Sequence, residues 1–136
     1  MITVPRIATL FALREGFGIA GAVPTRDNNP GDLRHAPGAQ HEPGDPDGIG
    51  HFETPEEGWA ALVRQLYLYA DRDHLTLEQA VYRFAPPSEN RTADYLAFIT
   101  QRLPGPPEVF MRFAMEIGDK VTEEPEDPVE VVAEEP

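Results

Sequence analysis

Glu15 is the residue in this sequence best placed to do chemistry. It stands one residue before Gly16, which ends the first helical segment, and its apolar sequence neighbours are Phe11, Phe17 and Ile19. The negative end of a helix dipole disfavours a carboxylate and apolar neighbours keep water from it, so both effects favour the protonated acid. A carboxyl group kept neutral near about pH 6 can protonate a leaving oxygen, as glycosidic cleavage requires. Downstream, the run from Arg26 to Arg34 sets two side-chain amides, Asn28 and Asn29, at the tight turn Asn-Pro-Gly-Asp. Such amides can hold a loop together or address a sugar's hydroxyl and acetamide groups, and the residues alone leave both roles open. A second carboxylate would lie about 5 Å from the acid in a retaining enzyme and about 6.5–9.5 Å away in an inverting one. Asp27, Asp32 and Glu53 are the candidates.

The elements that must position these groups follow from periodicity and capping. Ile7, Ala8, Leu10 and Phe11 recur at helical spacing behind Pro5 and predict a helix over 4–15. Residues 17–53 are rich in Gly and Pro, and two strand-like pieces, 32–35 and 49–53, predict a long loop holding at most a small hairpin. Thr54, Pro55 and Glu57 form a helix start ahead of the stripe Trp59, Leu62, Val63, Leu66 and Tyr67, which predicts a helix over 55–71. Thr76 and Gln79 repeat the capping pattern before a short helix that Ala85-Pro86-Pro87 ends. A helix over 92–103 carries Tyr95, Leu96, Ile99 and Leu103, and a last helix presents Val109, Phe110, Phe113 and Ile117 as its apolar face. The tyrosines and Trp59 read mostly as core. The fold class is therefore mainly α with a small β contribution, as a domain over 1–118 followed by an acidic tail over 119–136.

That tail holds 8 acidic residues against Lys120, no aromatic residue and little to bury, so it is expected to be disordered, serving solubility or docking a partner through Val129, Val131 and Val132. The whole chain of 136 residues carries a net charge of -13, which repels phosphate backbones and anionic membranes and argues against nucleic acid as a partner. No stretch has the roughly 20 apolar residues that insert into a bilayer, and the start lacks a signal-type apolar run. The expectation is a chain made in the cytoplasm, with delivery to the cell wall, the periplasm or a phage particle by other means. The absence of Cys removes disulfides, thiolate nucleophiles and thiolate metal sites.

No cofactor or metal is implied. The segment from Asp45 to Glu56 partly imitates a calcium loop, but Ile49 sits where an oxygen ligand is needed. His35, His41 and His51 share one loop without the spacing of a helix-borne ligand pair, and read as solvated.

In combination, Glu15-Gly16-Phe17, the run Asn28 to Arg34, the segment Phe52 to Leu62 and the segment Ala85 to Tyr95 resemble the small lysozyme-like proteins of phages and prophages. Those carry an "NNPGNL" motif, a phenylalanine strand, a helix beginning near "GxxAL", and an "APxxEN" segment before a Tyr-bearing helix. Order and spacing are also similar to endo-N-acetylglucosaminidases of flagellar and autolysin type. The resemblance covers residues 5 to about 103. It implies a lysozyme-like helical fold with peptidoglycan in a cleft between the first helix and the hairpin. It also implies Glu15 as general acid, and Asn28, Asn29, Asp32 and Phe52 on the substrate side. Glu89 and Asn90 would line the opposite wall. Position 32 departs from the family pattern, being Asp where Asn is common. Lytic transglycosylases of this type need a single Glu, which suits a chain without a clear second carboxylate. The chain is expected to be a monomer; the alternative reading is a non-catalytic wall-binding or virion structural protein on the same scaffold, using the tail to dock a virion or secretion-system partner.

Overall fold

A computed structural model describes residues 4–103 and 105–116; the proposed tail, and Ile117 of the last apolar face, lie outside the described residues. The element order is α1 (Arg6–Glu15), α2 (Val23–Arg26), α3 (Pro55–Tyr67), α4 (Leu77–Phe84), α5 (Thr92–Arg102) and α6 (Met111–Glu116), with α3 running on through a π-helical turn over Leu68–Arg72. Among the described residues no helix is long and apolar enough to cross a membrane.

The helices start and stop where their caps dictate. Thr54 Oγ1 accepts from the Glu57 amide at the head of α3, and at α4 the capping box is complete, with Thr76 and Gln79 each satisfying the other's backbone N–H. Gly16 ends α1 at φ +96°, with its own amide donating to Leu13 and that of Phe17 to Ala12. That is a Schellman ending, and the left-handed residue in it favours glycine. Ile7, Leu10, Phe11, Trp59, Leu62 and Leu66 lose all or nearly all solvent contact between α1 and α3, and Val81 and Ile99 extend this core into α4 and α5.

Two expectations are corrected. The pieces 32–35 and 49–53 form no hairpin; among the described residues, backbone pairing outside helices amounts to two isolated antiparallel bridges, Gln40 with His51 and Thr76 with Phe110. The expected pieces meet through a single bond, from the Gly50 amide to the Leu33 carbonyl. Asp32 at φ +54° turns the chain out of strand geometry, and the Asn29 side chain takes up carbonyls that a ladder would have used. In α6 the buried face is Met111, Ala114 and Met115, whereas Phe110 and Phe113 are more than half exposed. The Met111 amide donates to Leu75 and the Leu77 amide to Val109, and this clamp onto the head of α4 sets the rotation of α6.

The central packing constraint is at Gly58, in the first turn of α3. A Cβ built there would lie 1.9 Å from the carbonyl oxygen of Asn28 and 2.8 Å from Pro30 Cδ. Only a residue without a side chain lets α3 press against the Asn turn. Gly58→Ala is therefore expected to lower unfolding stability by about 1–3 kcal/mol, the usual size of an overpacking penalty, despite alanine's better helix propensity. Urea denaturation of the two chains checks this, and a gain in stability would show that the turn gives way freely.

Candidate functional site

Glu15 closes α1 and turns its carboxyl toward α5, where Tyr95 Oη donates to Oε2 at 2.7 Å. Tyr95 is buried, four residues beyond the Arg91 that precedes α5, and its ring packs 5.6 Å from that of Phe11. Phe84, at the end of α4, meets Phe11 edge-on at 4.8 Å. This aromatic seam fixes α1, α4 and α5 relative to one another and supplies the apolar wall around the acid. Phe17 is buried too, against Trp59 at 5.5 Å, while Ile19 is exposed and shields nothing.

Burial pushes the Glu15 carboxyl from its ordinary 4.5 up to about 7, opposed by the Tyr95 hydrogen bond, with the Asp32 carboxylate raising it further and Arg14 lowering it. The carboxyl opens into a groove of about 260 Å³ walled by Asp32, Arg34, Phe84, Pro86, Glu89 and Asn90, among others. The groove is polar apart from Phe84, Ala85, Pro86 and Ile49, which suits a hydroxyl-rich ligand approached by one apolar face.

Of the sequence-predicted residues, the structure brings Glu15, Asp32, Glu89 and Asn90 to this one groove. Asp32 is half-buried, its pKa is raised chiefly by burial, and its Oδ1 has no hydrogen-bond partner among the described residues. Neither of the other candidate second carboxylates lines the groove: Asp27 is taken by Arg26 through two bonds of 3.0 and 3.1 Å, and Glu53 is exposed at the approach to α3. Glu89 is exposed at the groove's far wall, and Asn90 donates weakly to the Pro86 carbonyl at 3.3 Å.

Asn28, Asn29 and Phe52 do not line the groove beside Glu15. Asn28, at φ +53°, donates to the Phe52 and Glu53 carbonyls and so ties the turn to the entry of α3. Asn29 is fully buried; its amide donates to Leu33 and Gly50 at 2.8 Å each, and its oxygen accepts from the Leu33 amide at 3.0 Å. Among the described residues both amides hydrogen-bond to backbone and hold the loop together. Phe52 is buried, its amide donates to Asp27, and it faces a separate surface hollow beside α3.

Sequence reasoning missed Tyr95 as the acid's partner and Arg34 and Phe84 as groove walls. A signal existed for the first: a tyrosine on a buried stripe must find a polar partner for its hydroxyl, and Glu15 is the carboxylate expected to be desolvated. Among the described residues no three His, Asp or Glu side chains converge as a metal site would require. Compared with protein-family models, curated protein sequences and solved structures, the chain shows no significant match.

The raised carboxyl has a consequence for folding. Unfolded, Glu15 loses its proton near 4.5, and folded only near about 7, so between these values the native state binds the extra proton and stability falls as pH rises. The stabilisation is fully present below 4.5 and lost above about 7, a difference of about 3 kcal/mol. Glu15→Gln removes the titration. The variant should therefore gain on the parent by about 3 kcal/mol between pH 4 and pH 8 in urea melts, and a constant difference across that range would contradict a buried, neutral carboxyl.

Proposed function

We propose that this protein is a peptidoglycan-cleaving glycosidase, a muramidase or lytic transglycosylase, with Glu15 as its general acid and glycan strands in the groove beside it. The observation that carries the reading is a carboxyl group desolvated to about 7, anchored by Tyr95 and open to a polar groove. The resemblance over Glu15, the Asn turn and the Ala85–Tyr95 segment supports the same substrate.

The chemistry follows from the arrangement. Tyr95 donates to Oε2, which leaves the acidic proton on Oε1. That proton passes to the bridging oxygen as the bond to the sugar's anomeric carbon breaks and positive charge develops there. Asp32, from the loop side of the same groove, is the group that can offer a carboxylate to this charge or deprotonate an attacking water. Glu15, now ionised, accepts a proton in turn. If the nucleophile is water the product has a reducing end; if it is the muramic acid's own hydroxyl the product closes an anhydro ring.

Purified protein should clear cell-wall sacculi, with the rate falling as pH rises through about 7 because the acid loses its proton. Glu15→Gln should reduce clearing by about 10²–10⁴-fold while leaving the chain folded. Mass analysis of the released sugars then separates reducing from anhydro ends. Equal clearing by both chains, or none by the parent, would remove the proposal.

A further inference from the structure

Past Asp32 the groove continues into an annex of about 360 Å³ that shares Gly31, Asp32, Arg34 and Phe84 with the walls around Glu15. The annex has a different character. Its rim carries Arg34, His35 and Arg83, and Gln65 and Tyr69 add neutral polar groups. Such a collection of bases stands out in a chain with 24 acidic residues against 11 basic ones.

Several of the protein's arginines are tied closely to carboxylates, whereas the two on the annex rim are weakly held. Arg26, Arg72, Arg91 and Arg112 each meet a carboxylate at 2.8–3.3 Å. Arg34 has no carboxylate within ion-pair distance among the described residues; its Nη1 donates to the Asp47 backbone carbonyl at 3.2 Å. Among the described residues Arg83 meets one carboxylate, Asp73, at 3.7 Å, and Asp73 already receives two shorter bonds, of 2.8 and 2.9 Å, from Arg72. A guanidinium with open donors is suited to bind a carboxylate through paired hydrogen bonds.

The acids Glu15 and Glu89 line the groove alone, His35 and Arg83 line the annex alone, and Asp32 and Arg34 stand where the two meet. We infer that the annex is a subsite for a carboxylate-bearing substituent of the glycan, held by Arg34 and Arg83, which sets the strand's direction and register against Glu15. This rests on the glycosidase reading and specifies its substrate: the strand must be acidic on the side that enters the annex. Two sources supply such a group in peptidoglycan, the lactyl carboxylate of muramic acid when it is free and the carboxylates of an attached peptide.

The test is calorimetric titration of the full chain carrying Glu15→Gln, which binds without turnover. Three probes are used: a neutral N-acetylglucosamine tetrasaccharide, an alternating tetrasaccharide with free lactyl carboxylates, and the same tetrasaccharide with peptides attached. At least one acidic probe should bind about tenfold more tightly than the neutral one; Arg34→Gln and Arg83→Gln should each erase that margin, and Arg83→Gln, which touches the annex alone, should do so without weakening the neutral probe. Preference for the second probe assigns the lactyl carboxylate; preference for the third assigns the peptide. If all three bind alike, or the margin survives both substitutions, the subsite is overturned and the glycosidase reading stands. Failure of every glycan to bind overturns both.

Discussion

The hydrogen bond from Tyr95 to Glu15, made inside an apolar seam, is the interaction on which the rest of the structure turns. Two opposed effects meet there. Withdrawal from water favours the neutral carboxyl, and a donor on one oxygen partly restores the charged form. Without Tyr95 a buried carboxyl would be left unsatisfied; without the burial it would be an ordinary surface acid. The pair also ties the end of α1 to α5 across 80 residues of sequence, so the acid's position is set by helix packing and not by a loop. The Schellman ending at Gly16 then carries the chain sharply away and leaves the carboxyl at an edge, where a groove can form.

The opposite wall is built by different means. Residues 27–53 contain almost no regular backbone pairing, yet they bring Asp32, Arg34 and Ile49 to the groove. Side-chain amides do the work that a ladder would do in a sheet. Asn29 bridges Leu33 and Gly50 from a fully buried position, and Asn28 ties the turn to the head of α3, against which Gly58 allows direct backbone contact. Burying an amide is favourable only when its donors and acceptor are met, which makes this turn intolerant of change at either Asn.

Much of this was legible in the sequence because helices announce themselves locally. Pro5 and Gly16 bracket α1, and Thr54 and Thr76 with their third-position partners mark α3 and α4. The burial of Glu15 was legible in part, since Phe11 does lie in the seam beside it, whereas Ile19 is exposed. The hairpin was not, because alternation and turn residues do not reveal that a side chain will capture the carbonyls a partner strand needs. Nor was the face of α6: Val109, Phe110 and Phe113 outweigh Met111, Ala114 and Met115 in hydrophobicity, and only the tie between residues 107–111 and the head of α4 decides which side turns inward. The groove lay beyond the sequence altogether, because its walls come from α1, the Asn loop and the α4–α5 connection, which no single pattern links.

The protonation of the Glu15 side chain decides the chemistry, and it can be observed directly. In a carbon-labelled sample, the Glu15 side-chain carboxyl resonance, assigned by its loss in Glu15→Gln, should titrate with a midpoint near about 7, and move when a peptidoglycan fragment fills the groove. A midpoint at the ordinary 4.5, unaffected by the glycan, would contradict the claim that this carboxyl is an acid held ready beside a sugar-binding groove.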